Sequence, residues 1–211
     1  MIIAGLTGSI GMGKTTAADM LRDMGIPIHD ADATVHKLLG PGGQAVAAIA
    51  ALCPEALITN DKGAAEIDRK ILGRHIFADP VLKKTVEDTL YPLVQESEEK
   101  FIAEKKIEGH RLVVLDVPLL FETSWDLRVD KTIVVSAPFE VQKARVMARP
   151  GMTEERFNSV LKAQMPDAEK RRRADFVVDT GTGKEDTRRQ LKEIVAQLTP
   201  AIKPAPPGFR P

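Results

Sequence analysis

Gly8-Ser9-Ile10-Gly11-Met12-Gly13-Lys14-Thr15 matches G-x-x-x-x-G-K-[ST] in full. Before it stands Ile2-Ile3-Ala4-Gly5-Leu6, a continuous apolar run of the kind that forms a strand covered on both faces. After it, Ala17, Met20, Leu21 and Met24 recur at helical spacing, and Gly25 supplies a stop. Between a buried strand and an amphipathic helix, such a stretch is expected to cradle phosphates. Glycines let the backbone curl until successive N–H groups face inward, and the helix opening near Gly13 adds the positive end of its dipole. Lys14 can reach the β and γ phosphates, the Thr15 hydroxyl suits a bridging Mg²⁺, and Thr16 can donate a further hydrogen bond. The expected nucleotide-binding set is therefore Gly8, Ser9, Ile10, Gly11, Met12, Gly13, Lys14, Thr15 and Thr16. No N-K-x-D or D-x-x-G string occurs, so the ligand leans toward ATP rather than GTP, and the reaction toward small-molecule phosphoryl transfer.

Working outward, four more apolar stretches read as strands: Ile26-Pro27-Ile28, Arg111 to Val117, Lys131 to Val135, and Phe176-Val177-Val178. Their alternation with helical patterns argues an α/β fold, a five-stranded parallel sheet flanked by helices. Residues 33–108 break the rhythm. Three helical segments are expected there and no strand, with Gly40-Pro41-Gly42-Gly43 and Ala78-Asp79-Pro80 between them. The third, from Val81 to about Lys105, carries Val86, Leu90, Leu93, Val94 and Phe101 on one stripe, and Pro92 should kink or split it. This block is a helical insertion that either covers a substrate or merely packs. The organisation expected is a core of 1–32 and 109–199, an insertion of 33–108, and a proline-rich, disordered tail of 200–211 that holds five of the 14 prolines.

Length and composition bound the class. A chain of 211 residues hides roughly 70% of its surface on folding and has room for a core without disulfides. Thirty basic residues balance 30 acidic ones, which gives no electrostatic case for nucleic acid or a membrane surface. One cysteine, Cys53, cannot pair within the chain and suits a reducing compartment. MIIAGLTG lacks the flank and apolar length of a signal peptide, and no apolar run reaches the roughly 18 residues of a membrane span. A cytoplasmic protein, monomeric or weakly self-associating, is expected. The histidines at 29, 36, 75 and 110 form no ligand-spaced cluster with one another or with Cys53, which argues against zinc.

Phosphorylating an alcohol needs a group that orients the hydroxyl and takes its proton. His29-Asp30-Ala31-Asp32 follows the second strand, on the side of an open sheet where ligands gather. Either aspartate can instead cap the helix that begins near Ala33. His36 shares a helix face with Asp32 at i, i+4 and is a candidate acceptor contact. Asp116, in Asp116-Val117-Pro118-Leu119-Leu120-Phe121-Glu122, stands where a Walker B acid holds Mg²⁺; a structural hydrogen bond is the alternative. Arg145 and Arg149 lie four apart on the helix after Pro138, followed by Pro150-Gly151-Met152-Thr153 and a second helix ending at Gln164. Helix, loop and helix with inward arginines read as a lid over about 145–166, although two solvated arginines would look the same. Lys170-Arg171-Arg172-Arg173 reads as a solvated helix end.

Taken in order, these residues resemble the dephospho-coenzyme A kinase family, within the P-loop kinase fold. The resemblance rests on Leu6-Thr7-Gly8 through Thr16, Asp30-Ala31-Asp32, Ile67-Asp68-Arg69, Ile76-Phe77, Pro92-Leu93-Val94, Asp116 to Glu122, Arg145 to Arg149, and Ala174 to Asp179. It implies ATP- and Mg²⁺-dependent phosphorylation of the ribose 3′-hydroxyl of dephospho-CoA. It further implies Asp32, Lys14 and Arg145 as catalytic groups, Arg145 and Arg149 on ATP, and Thr15 and Asp116 toward Mg²⁺. Asp32, His36, Tyr91, Pro118 and Leu119 would meet the acceptor. Tyr91 stands where the family often has histidine, and Thr180-Gly181 where it commonly has asparagine. Rival readings are a nucleoside or nucleoside monophosphate kinase of the same fold, and a non-catalytic ATP-binding regulator.

Overall fold

A computed structural model of the chain describes residues 1–200. The tail expected from Pro200 onward lies, beyond Pro200 itself, outside the described residues. From the N-terminus, strand β1 (Ile2–Thr7) leads through the glycine-rich turn into helix α1 (Lys14–Asp23) and then β2 (Ile28–Asp30). Helices α2 (Ala31–Leu39) and α3 (Val46–Leu52), strands β3 (Leu57–Thr59) and β4 (Ala65–Ile67), and helices α4 (Arg69–Ala78) and α5 (Pro80–Ile107) follow. The chain continues with β5 (Leu112–Asp116), β6 (Lys131–Ser136), α6 (Phe139–Met147), α7 (Glu154–Ala163), α8 (Asp167–Arg173), β7 (Phe176–Asp179) and α9 (Lys184–Leu198). Two compact units result: Met1–Ile28 with the chain from Gly109 onward, and His29–Glu108.

The first unit is built on the expected five-stranded parallel sheet, in the order β2-β5-β1-β6-β7. Every residue of β5 is buried, as are Thr132 to Ser136 of β6, which is why these strands read as unbroken apolar runs. Leu6 of β1 pairs with Asp116 of β5 on one side and with Ile133 of β6 on the other. That register sets Asp116 beside the exit of β1, where the glycine-rich turn begins. α1 buries Ala17, Ala18, Met20 and Leu21, and α9 buries Leu191, Ile194 and Leu198 in the same cluster. Each large apolar side chain hidden this way contributes about 1.5–3 kcal/mol. Gly25 ends α1 as expected, its N–H donating to Arg22 O at 2.9 Å.

The second unit departs from expectation in two ways. Four α-helices stand where three helical segments were expected. An antiparallel hairpin, β3 with β4, pairs Leu57 with Ile67 and Thr59 with Ala65 in a region expected to hold no strand. Its strands of three residues are too short to carry a period, and the turn rests on the Asn60 side chain, whose Oδ1 accepts from Lys62 N and Ala64 N at 3.0 Å each. α5 is one helix of 28 residues through Pro92, so of the two outcomes expected of that proline, a kink or a split, it does not split the helix. A helix-interior proline costs about 3 kcal/mol. Burial of Val86, Leu90 and Val94 offsets that, helped by Asp79, whose side chain caps α5 by accepting from Val81 N and Leu82 N.

Candidate functional site

The phosphate loop is held from several sides within the sheet unit. A Cβ on Gly8 would lie 2.4 Å from Val135 Cγ2 and 2.8 Å from the Val135 carbonyl, so only glycine lets the loop leave β1 this close to β6. Gly13 is the N-cap of α1 at φ 87°, a left-handed conformation. α1 opens with no side-chain cap and no acidic residue in its first turn, an arrangement suited to an anion. Thr15 and Thr16 are exposed on that turn. Lys14 Nζ lies 2.5 Å from Asp116 Oδ1, and Asp116 is 3% exposed. The β5 acid thus holds the phosphate-loop lysine.

Five further hydrogen bonds join groups far apart in sequence. Gln142 of α6 donates through Nε2 to Ile10 O at 2.8 Å, and Ile10 N donates to Gln164 Oε1 at 3.0 Å. Ile10 is therefore gripped at both its N–H and its carbonyl, by α6 and by the residue that closes α7. Arg145 donates to Thr180 Oγ1 at 2.9 Å and to Thr180 O at 2.7 Å, while the Thr180 hydroxyl donates to Met12 O at 2.8 Å. Arg145 is thereby tied to the loop through a buried threonine. Side chains that recognise backbone groups far away in sequence leave no local pattern, so the two glutamines and Thr180 could not be read in advance.

Other expectations meet the structure more unevenly. Thr153 caps α7 as expected, accepting from Arg156 N, and α7 gives way at Gln164. Arg149 is corrected: α6 ends at Met147, so Arg149 lies past the helix, exposed, and shares no helical face with Arg145. Lys170 is corrected as well. It is fully buried, with Nζ 2.8 Å from Glu122 Oε1 and 3.5 Å from Pro118 O, while Arg171 to Arg173 are exposed. Glu122 Oε1 also accepts from Met165 N at 2.8 Å, and the Thr7 hydroxyl donates to Pro118 O at 2.9 Å. Pro118 is thus pinned, with exposed Leu119 next to it.

In the helical unit, Asp30 is the N-cap of α2 and accepts from Ala33 N at 2.9 Å. Asp32 is exposed in the first turn of α2, and His36 is exposed one turn further on. Behind them His29 is buried, with Nε2 2.9 Å from Ser97 Oγ and 3.2 Å from Thr34 Oγ1. The Thr34 hydroxyl donates to Asp30 O at 3.0 Å, which leaves its oxygen to accept from an Nε2–H. His29 Nδ1 is 4.0 Å from Glu98 Oε1. Burial holds the His29 imidazole below its ordinary value, only partly opposed by Asp30. Tyr91, on α5, is 37% exposed; partial burial and the charges of Glu87 and Asp88 push its phenol upward.

A family model described as dephospho-CoA kinase (CoaE) matches residues 2–186. The chain belongs to the dephospho-CoA kinase family. A dephospho-CoA kinase of Paramagnetospirillum magneticum is 52% identical over 208 residues, covering 99% of this chain and 96% of that one. The Agrobacterium fabrum dephospho-CoA kinase is 47% identical over 198 residues, 94% of this chain and 98% of that one. Among solved structures, TT1252 from Thermus thermophilus superposes with a TM-score of 0.79 at 37% identity, covering 94% of this chain and 98% of that one. Dephospho-CoA kinase from Campylobacter jejuni, at 24% identity and a TM-score of 0.69 over 93% and 96% of the two chains, shares the fold. Among the described residues no helix is long and apolar enough to cross a membrane.

Proposed function

We propose that this chain transfers the γ-phosphoryl group of ATP to the ribose 3′-hydroxyl of dephospho-CoA, giving CoA and ADP. The observation that carries the reading is the phosphate loop of Gly8 to Thr16, with Lys14 held by Asp116, in a chain of the dephospho-CoA kinase family. The loop and the start of α1 bind the triphosphate through backbone N–H groups, and Lys14 sets a point charge against the β and γ oxygens. Asp32 takes the proton of the attacking hydroxyl. Being exposed, and relieved of capping duty by Asp30, it is available to an acceptor. Arg145, oriented by Thr180, stabilises the charge that spreads over the transferring oxygens. Arg149 gives a second cation at the lid, and His36, Tyr91, Pro118 and Leu119 contact the acceptor.

Thr15, whose hydroxyl is exposed on the first turn of α1, and Asp116, whose Oδ1 carries Lys14, would hold Mg²⁺, which prefers oxygen ligands. When bound, the ion neutralises charge on the phosphates. On this reading residues 33–108 serve the acceptor, the segment at about 145–166 is a lid, and the enzyme is a cytoplasmic monomer or weak homo-oligomer without nucleic-acid or membrane partners. An ADP-release assay with Mg²⁺ tests the reaction. ADP should form only when dephospho-CoA is present. Release that is independent of dephospho-CoA, or that answers instead to a nucleoside or nucleoside monophosphate, overturns the assignment.

A further inference from the structure

Sequence spacing gives no reason to join His75 with Cys53, but the fold brings the two together. In the helical unit the Cys53 sulfur, a Glu55 carboxylate oxygen and one ring nitrogen of His75 all lie within 4.8 Å of one another. Cys53 Sγ is 3.8 Å from Glu55 Oε2. We propose that these three side chains form a site for a divalent transition metal of borderline softness, zinc foremost.

The backbone places the three donors independently of any ion. Cys53 closes α3 and opens a single 3₁₀ turn, Pro54–Ala56, which carries Glu55. The β3–β4 hairpin then returns the chain, and Asp68 N donates to Ala56 O at 2.7 Å, fixing the start of α4 against that turn. Asp68 also caps α4, whose last turn presents His75. Cap, hairpin and turn together bring an imidazole to a thiol and a carboxylate.

Geometry and donor chemistry agree. Zinc bonds of about 2.3 Å to sulfur and about 2.0–2.1 Å to nitrogen or oxygen, in a tetrahedron, set ligands about 3.3–3.6 Å apart. The Cys53–Glu55 separation already approaches that, and the widest pair has to contract by roughly 1 Å. Glu55 and His75 are exposed, so their side chains can rotate by that much, whereas Cys53 is buried and fixed. A thiolate and an imidazole favour zinc or copper over the oxygen-preferring Mg²⁺ and Ca²⁺. A thiol–carboxylate hydrogen bond alone would need no imidazole. With three protein donors, the fourth position stays open to water. The bound ion links the end of α3 to the last turn of α4 and stabilises the folded unit by mass action.

The test is a Co²⁺ titration of the tag-free full-length chain, with Zn²⁺ then added in competition. One equivalent should bind, giving thiolate-to-cobalt absorption in the near ultraviolet that Zn²⁺ removes and excess Mg²⁺ does not. Cys53→Ser should abolish that absorption. His75→Ala should keep it while weakening apparent affinity at least about ten-fold. Absence of thiolate absorption in the parent chain, or displacement by Mg²⁺, overturns the site. Should Cys53→Ser fail to fold, the exposed positions decide: unchanged Zn²⁺ affinity in both His75→Ala and Glu55→Gln overturns it too.

Discussion

Asp30 and Asp32 sit two residues apart and do different things. Asp30 spends its carboxylate on the Ala33 N–H at the start of α2, which frees Asp32, exposed on the next half-turn, for an acceptor hydroxyl. Asp32→Asn preserves shape and hydrogen-bonding capacity but cannot take a proton. Turnover should fall by about 10²-fold or more while ATP affinity stays nearly constant, as read by steady-state kinetics beside direct nucleotide titration. Unchanged turnover removes Asp32 from the chemistry. Arg145 poses the complementary question. Its guanidinium is already spread across the Thr180 hydroxyl and carbonyl, so it is oriented before the transition-state charge develops. Arg145→Ala should lower turnover by about 10²-fold and ATP affinity much less. Equal losses in both would make it a ground-state binder only. The phosphate-loop residues were legible because they form one short motif, whereas the roles expected of Asp32 and Arg145 came from the family resemblance. Thr180 and the glutamines on Ile10 were not legible, since nothing local marks a side chain whose partner is a distant backbone group.

At the scale of elements, strands buried on both faces announced themselves as apolar runs, and Gly25, Asp79-Pro80 and Thr153 punctuated the helices where the structure breaks them. The hairpin of β3 and β4 escaped because three-residue strands have no period to read. α8 shows a different failure. A helix of seven residues ending Lys-Arg-Arg-Arg looks solvated throughout, yet its Lys170 points inward to Glu122. That pair links α8 to the loop that follows β5, and the Glu122 oxygen holds Met165 N as well. Lys170→Met leaves the Glu122 carboxylate half-buried beside an apolar side chain. We expect a loss of about 3 kcal/mol in denaturant unfolding. The double variant Lys170→Met, Glu122→Leu should recover part of it, because no charge is then stranded. A single variant as stable as the parent chain would mean that the ion pair contributes nothing.

For the whole molecule, charge balance hides a local imbalance that pH can expose. Thirty bases face 30 acids, so no global repulsion dominates near neutrality. Glu169 is lowered to about 2 by Arg172 and Arg173, and Asp68, Glu155, Asp175 and Asp186 are lowered too, so the stability they contribute starts to fall in the ordinary carboxylate range and is lost below it. His29 differs. Burial lowers it from 6.5, with Asp30 and Lys37 acting in opposite directions and Glu98 4.0 Å from Nδ1. The unfolded chain therefore binds more protons at this residue than the folded one just below pH 6.5. Stability from neutral His29 is present in full above that value and drains away as pH falls toward the lowered one. Its loss also loosens Thr34 and Ser97, which fix the start of α2 against α5. Thermal midpoints should accordingly climb as pH rises from the lowered His29 titration toward 6.5, a window set by the direction of that shift. His29→Gln keeps a donor for Ser97 and removes the titration, so its midpoint should be nearly flat across that window. A slope that survives in His29→Gln would assign the effect to other groups and leave the buried imidazole as packing alone.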